Sequence, residues 1–99
     1  MPRLIWSPSA LADVQRVYHF LLEKNPLAAK QAVGTIRLSI NILALHPEIG
    51  RPVEVMEPEY REWPIAFGSN GYIALYHYDG STAIIVALRH QREAGYTSA

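Results

Sequence analysis

Asn25-Pro26 interrupts a stretch of helical periodicity that runs from residue 8 to residue 46, and leaves room for no more than a turn. Asparagine can accept a hydrogen bond from the first N–H groups of a new helix, and proline suits the first helical position because the N–H it lacks would be unpaired there anyway. Before this break Leu11, Val14, Val17, Tyr18, Leu21 and Leu22 recur at helical spacing. After it Ala29, Val33, Ile36, Ile40 and Leu43 do the same. Ser7-Pro8 opens the first helix by the same cap-and-proline device, and His46-Pro47 closes the second. Two helices joined so tightly run antiparallel, so residues 8–46 are expected to form an αα-hairpin. Asp13 and Lys24 stand towards the two ends of the first helix in the sense that the helix dipole favours. The small residues Ala28, Ala29, Ala32 and Gly34 suit a close helix–helix approach.

The flanking segments read as strands. Leu4-Ile5-Trp6 is a short apolar run before the first cap. Residues 47–59, rich in proline and glutamate, are a loop. Three apolar segments follow at residues 60–66, 72–78 and 82–88. Pro64 marks the first of these as an edge or a bulge. Gly68-Ser69-Asn70-Gly71 and Asp79-Gly80-Ser81 have hairpin-turn chemistry, so the last three strands form an antiparallel meander. The expected class is α+β in the order β-α-α-β-β-β: an antiparallel sheet with the αα-hairpin on one face. The place of the first strand in the sheet is open. One domain spans residues 1–99, and residues 92–99 read as a loose tail.

Composition narrows the chemistry. There is no cysteine, which rules out disulfides and thiolate nucleophiles and fits a cytoplasmic protein. No signal peptide is visible, and no apolar run is long enough to span a bilayer. His19, His46, His77 and His90 fall in different elements and never at i, i+4, so neither a metal site nor a cofactor is expected. Nine basic side chains balance nine acidic ones, which argues against non-specific binding to nucleic acid. The charge is nevertheless uneven. Arg3, Arg16, Lys24, Lys30 and Arg37 dominate residues 1–46, and Glu48, Glu54, Glu57, Glu59 and Glu62 dominate residues 47–63. That division favours docking on a specific partner.

Chemistry-bearing residues gather at the end of the last apolar run, in Leu88-Arg89-His90-Gln91-Arg92. His90 and Arg92 share a face if the strand reaches that far, and Arg61 supplies a further guanidinium from an earlier strand. An imidazole with two guanidinium groups can serve acid–base work on a phosphodiester, or simply contact an anionic partner. Tyr76 can orient a nucleophile or stack on a base, or it belongs with Tyr72 and Tyr78 to a structural stripe. Arg61 can pair with Glu59 or Glu62 instead of a phosphate. Arg51, between Gly50 and Pro52, suits target contact or a tie to Glu48 or Glu54. Leu21 and Leu22 widen the apolar stripe of the first helix, and Leu38, Ile42 and Leu45 widen that of the second, leaving apolar surface for a partner.

The order of elements resembles that of the RelE/ParE superfamily of toxins from type II toxin–antitoxin pairs. The resemblance covers nearly the whole chain. It rests on the strand leading into Ser7-Pro8-Ser9-Ala10-Leu11-Ala12-Asp13-Val14, on Asn25-Pro26-Leu27-Ala28-Ala29, and on His46-Pro47-Glu48-Ile49-Gly50-Arg51-Pro52. Tyr60-Arg61-Glu62-Trp63, Tyr72-Ile73-Ala74-Leu75-Tyr76 and Leu88-Arg89-His90-Gln91-Arg92 complete it. The Gly-Arg-Pro loop and the Leu-Arg-His-Gln-Arg ending look more like the ParE branch, whose members are described as poisoning DNA gyrase without an active site of their own. That resemblance implies target contact through Arg51, Arg61, Arg89, His90 and Arg92. It also implies a cognate antitoxin on Leu21, Leu22, Leu38, Ile42 and Leu45, contact with DNA only through that antitoxin, and no role at a membrane. The alternatives are a RelE-like, ribosome-dependent mRNA endoribonuclease using Arg61, His90, Arg92 and Tyr76, or an inactive homologue that binds its antitoxin as a corepressor.

Overall fold

The computed structural model describes residues 2–93, 95 and 96. Its elements run β1 (Arg3–Trp6), α1 (Pro8–Leu22), α2 (Pro26–Leu45), β2 (Arg51–Pro52), β3 (Tyr60–Phe67), β4 (Asn70–Tyr78) and β5 (Thr82–His90). Both expected caps form. The Ser7 hydroxyl accepts from the Ala10 N–H at 3.1 Å, and the Asn25 side chain accepts from the Ala28 N–H at 3.1 Å. Each cap is followed by its proline at the start of the helix.

The sheet order is β1-β5-β4-β3-β2. The meander β3-β4-β5 is antiparallel, whereas β1 joins the outer edge of β5 in parallel, so the sheet is mixed. The loop after α2 contributes the two-residue β2, which pairs with Arg61 and Glu62 at the start of β3. Pro64 lies beyond that pairing, on the open edge of β3, where a missing N–H costs no ladder bond. At the β3–β4 turn Gly68 has φ +61°, and at the β4–β5 turn Gly80 has φ +101°, conformations that favour glycine.

Both helices pack on one face of the sheet. Ala10, Val17, Ala32, Ile36, Ile40 and Leu43 meet Ile65, Tyr72, Ala74, Tyr76, Ile85 and Leu88 in one core. Ala29 and Ala32 are fully buried, as close packing requires, while Gly34 faces open space and has no part in it. Asp13 is not a dipole partner at the helix start. It is a buried residue, and its Oδ2 accepts from the Leu88 N–H at 2.8 Å. This N–H faces the outer edge of β5, away from β4, and β1 stops pairing at Ile85, so it needs a side-chain acceptor; close by, the β4–β5 register shifts, Leu75 pairing with Ala87 but Tyr76 with Ile85. The Ser7 hydroxyl donates to the skipped Val86 carbonyl at 3.0 Å, so α1 holds the bulge from both sides. Among the described residues no helix is long and apolar enough to cross a membrane.

Candidate functional site

The C-terminal half of α1 faces the start of β4 and the end of β5, and the three do not close on one another. A cavity of about 660 Å3 lies between them, lined by Val17, Phe20, Leu21, Tyr72, His90 and Arg92. Tyr72 forms the floor. Burial pushes its phenol up in pKa, and its ring meets the His90 imidazole edge-on at 5.5 Å. A smaller hollow of about 220 Å3 continues past Tyr72 towards the Gly68 turn.

β5 ends at His90, so Arg92 is not on the strand. The chain turns, and the Arg92 N–H donates to His90 Nδ1 at 3.1 Å. The expected pair therefore meets through a turn and not through the period of a strand. With Nδ1 accepting, a neutral imidazole carries its hydrogen on Nε2. The Arg92 Nε donates to Asn70 Oδ1 at 3.2 Å, and among the described residues Arg92 makes no ion pair. Glu93 closes the turn by accepting from the His90 N–H at 3.1 Å. Arg16 of α1 reaches across to Glu93 Oε1 at 3.2 Å and lies 3.6 Å from Asp13. Burial works to raise the Glu93 carboxyl, but the His90 N–H and the Arg16 guanidinium together hold it below the ordinary carboxylate range. Arg16 and Glu93 are 77 residues apart, and neither carries a local signal that the other is near.

Arg61 does not join this cluster. It pairs with Tyr76 across β3 and β4, whereas His90 pairs with Tyr72. The two sites are offset by roughly 13 Å along β4 and by two strand spacings, about 10 Å, across the sheet. Arg61 pairs with neither Glu59 nor Glu62. Its Nη1 donates to the carbonyls of Gly50 at 2.8 Å and Glu48 at 3.1 Å, tying the loop after α2 onto the sheet. Tyr76 ties down the same loop. Its fully buried hydroxyl accepts from the Gly50 N–H and donates to the Pro47 carbonyl, both at 2.8 Å. Burial raises the Tyr76 pKa, with the Gly50 N–H and Arg61 opposing it. A hydroxyl so engaged is not available to orient a nucleophile.

Arg51 and Arg89 lie on the sheet face away from the helices. Arg51 bonds Glu62 at 3.4 Å, not Glu48 or Glu54, and stays half exposed. Arg89 is largely enclosed: its Nη1 donates to the Glu93 carbonyl at 2.7 Å, and its guanidinium lies 5.2 Å from the Tyr96 ring centre. The Tyr96 hydroxyl donates to Glu62. Burial, then Glu62, raise the Tyr96 pKa. Within the segment expected to be loose, Arg92, Glu93 and Tyr96 each make such contacts. Residues 94 and 97–99 lie outside the described residues.

Of the apolar residues expected on the helical surface, Leu38, Leu45, Ile42 and Leu22 are exposed, Leu38 most at 73%. Leu21 instead packs partly against the core and forms a wall of the cavity. Phe20 beside it is 63% exposed, with the Lys24 ammonium 5.1 Å from its ring centre.

Comparison with known proteins agrees with this architecture. Residues 4–95 match the family model of the ParE toxin of the type II toxin–antitoxin system parDE. A relative from Caulobacter vibrioides named Toxin RelE3 is 30% identical over 86 residues, covering 87% of this chain and 90% of the relative. A solved structure described as a chromosomal ParDE TA system from P. aeruginosa superposes with a TM-score of 0.73 at 24% identity, over 91% of this chain and 96% of that one.

Proposed function

The chain belongs to the ParE toxin family of type II toxin–antitoxin systems, and from that membership we propose that it acts in the cytoplasm by binding DNA gyrase and trapping it on cleaved DNA, without cutting RNA. The observation that carries this reading is the separation of the residues a nuclease would need. A scissile phosphate held by His90 and Arg92 would lie far from Arg61, and Arg61 and Tyr76 already hold the loop at Gly50. In-line cleavage of a phosphodiester needs the general base, the general acid and the charge stabiliser within hydrogen-bonding reach of one another's substrate atoms. A toxin that works by docking needs only a presented surface. His90 and Arg92 at the cavity mouth provide one, and the half-exposed Arg51 offers a separate contact on the opposite face of the sheet, while Arg61 and Arg89 are engaged within the fold. The chain's neutral net charge fits the same reading, because docking into ribosomal RNA would reward a surplus of Lys and Arg.

The antitoxin, in this reading, covers Leu22, Leu38, Ile42 and Leu45 and keeps the toxin inactive, with DNA contacted only through it. The relevant test is a translating extract given the purified chain and a reporter mRNA. Intact mRNA is expected at toxin concentrations that arrest growth. Codon-phased cleavage that disappears in Arg92→Ala or His90→Ala would replace it with the endoribonuclease reading.

A further inference from the structure

We propose that Arg89, held by Tyr96 and Glu62 on the outer face of the sheet, is the positioning residue that sets the His90–Arg92 turn for its target. This rests on the reading of the chain as a toxin that docks through His90 and Arg92, and it adds the device that keeps that contact in shape. It also takes Arg89 out of the contact itself.

The turn after β5 gathers the backbone carbonyls of His90, Gln91 and Glu93 around one guanidinium. The Arg89 Nη1 lies 3.3, 3.3 and 2.7 Å from them in that order. Carbonyl oxygens brought so close repel one another, and a cation among them offsets the repulsion. On the other side of the same turn His90 and Arg92 line the cavity, with the Arg92 N–H on His90 Nδ1. The guanidinium is itself held from behind. Its Nη2 lies 4.0 Å from Glu62 Oε2, and the Tyr96 hydroxyl donates to that same oxygen. The Tyr96 ring centre is 5.2 Å from the guanidinium carbon. Glu62 stands opposite Leu75 and Arg89 opposite Ile73, so Tyr96 joins the two across β4. Ile73 and Leu75 alternate with the core residues of β4 and face away from the helices, yet both are buried, as a cover over this face requires. Exposure separates the roles of the two arginines. The Arg89 side chain is 16% exposed and its Glu62 partner 14%, whereas Arg92 is exposed. A docking partner meets Arg92, and Arg89 acts on it only through the turn.

The test reads amide hydrogen exchange by NMR and gyrase inhibition on the same folded chains. Arg89→Gln removes the cation, and Tyr96→Phe removes only the hydroxyl on Glu62 and keeps the ring. Lost global stability speeds the core amides of Ala74 and Ile85, whereas a loosened turn speeds the Arg92 and Glu93 amides, whose partners lie within the turn. Exchange at Arg92 and Glu93 should rise about tenfold or more in Arg89→Gln and about threefold in Tyr96→Phe, beyond any rise at Ala74 and Ile85. The concentration for half-inhibition of gyrase should rise about fivefold or more in Arg89→Gln and about twofold in Tyr96→Phe. Arg89→Lys, a point charge that still sits among the carbonyls, should recover both to within about twofold. Because Tyr96 acts through Arg89, the double variant should be no worse than Arg89→Gln alone. Turn amides at wild-type rates in both single variants overturn the proposal. So does inhibition lost in Arg89→Gln while those rates hold, which would make Arg89 a contact. Additive losses in the double variant overturn it as well, since Tyr96 would then act on its own. Should Arg89→Gln fail to fold, Tyr96→Phe decides by the same two readouts. Growth arrest on induction should follow the same order of variants. A wild-type chain that arrests growth but leaves gyrase untouched overturns the gyrase reading alone, and exchange with growth arrest then decides this proposal.

Discussion

The Tyr76 hydroxyl lies 2.8 Å from the Gly50 amide nitrogen, so close that a Cβ on residue 50 would fall 2.5 Å from that oxygen and 2.9 Å from the Glu62 carbonyl. The glycine of the Gly-Arg-Pro loop is therefore fixed by the approach of a core tyrosine. Gly50→Ala should displace the loop or the ring and destabilise the fold by about 1–3 kcal/mol, the range for overpacking. Tyr76→Phe should cost a similar amount, about 1–3 kcal/mol, because it leaves the Gly50 N–H and the Pro47 carbonyl without their partner. Chemical denaturation measures both. A neutral Tyr76→Phe would mean that water replaces the hydroxyl freely and that the loop is not held from the core.

Asp13 offers a second stability test. Asp13→Ala strands the Leu88 N–H at the bulge and should cost roughly 1.5–3 kcal/mol, the range for hydrogen bonds to a charged group. Asp13→Asn keeps an acceptor oxygen and should cost distinctly less. Equal losses would show that the charge, through Arg16, matters more than the hydrogen bond.

The helix boundaries and the hairpin turns are legible in the chain because their causes are local. Ser7-Pro8, Asn25-Pro26 and His46-Pro47 act on the turn beside them, and Gly68 and Gly80 adopt the backbone angles their turns need. What the chain hides is long-range. Nothing near Leu4 tells it to lie parallel to Ala83, and nothing near Asp13 announces a bulge 75 residues later. The candidate site suffers most. His90 and Arg92 do meet, but sequence alone cannot reveal that Arg61 opposes Tyr76 while His90 opposes Tyr72. The docking of Tyr96 on Arg89 and Glu62 is equally invisible, since a short polar ending looks the same whether docked or free.

Acid stability follows from two carboxyl groups. Glu93 is held below its ordinary value as described above. Asp79 is held down by the Thr82 and Ser81 N–H groups and the Ser81 hydroxyl. A carboxyl whose folded value lies below its unfolded one binds protons more readily when unfolded. Its contribution is therefore complete above the ordinary carboxylate range and is lost as the pH falls through the lowered folded value. The denaturation midpoint should stay level from pH 7 to about 5 and fall below that. Glu93→Gln should make the fall shallower. An identical slope in wild type and Glu93→Gln would remove Glu93 from the account.

On the helical surface, Leu38→Asp and Ile42→Asp change exposed positions and should leave folding intact. Each should weaken the antitoxin complex by about tenfold, as loss of an apolar interface contact with a buried charge requires. Calorimetry reads the change. Unchanged affinity in both variants would remove the α2 stripe from the interface.

His90 discriminates docking from proton transfer. His90→Gln retains a side-chain acceptor for the Arg92 N–H and loses only the titratable ring. Toxicity should fall by no more than about threefold if no proton moves, whereas loss of a general acid or base costs about a hundredfold or more. Growth arrest on induction, with the variant shown to be folded, separates the two.

Gyrase binding is read from DNA supercoiling by purified gyrase with and without the folded chain, with cleaved DNA scored after denaturing the enzyme. Binding to gyrase predicts loss of supercoiling and accumulation of cleaved DNA, both reversed by the antitoxin and both retained in His90→Gln. Full supercoiling with no cleaved DNA, at concentrations of folded protein that arrest growth, would contradict it.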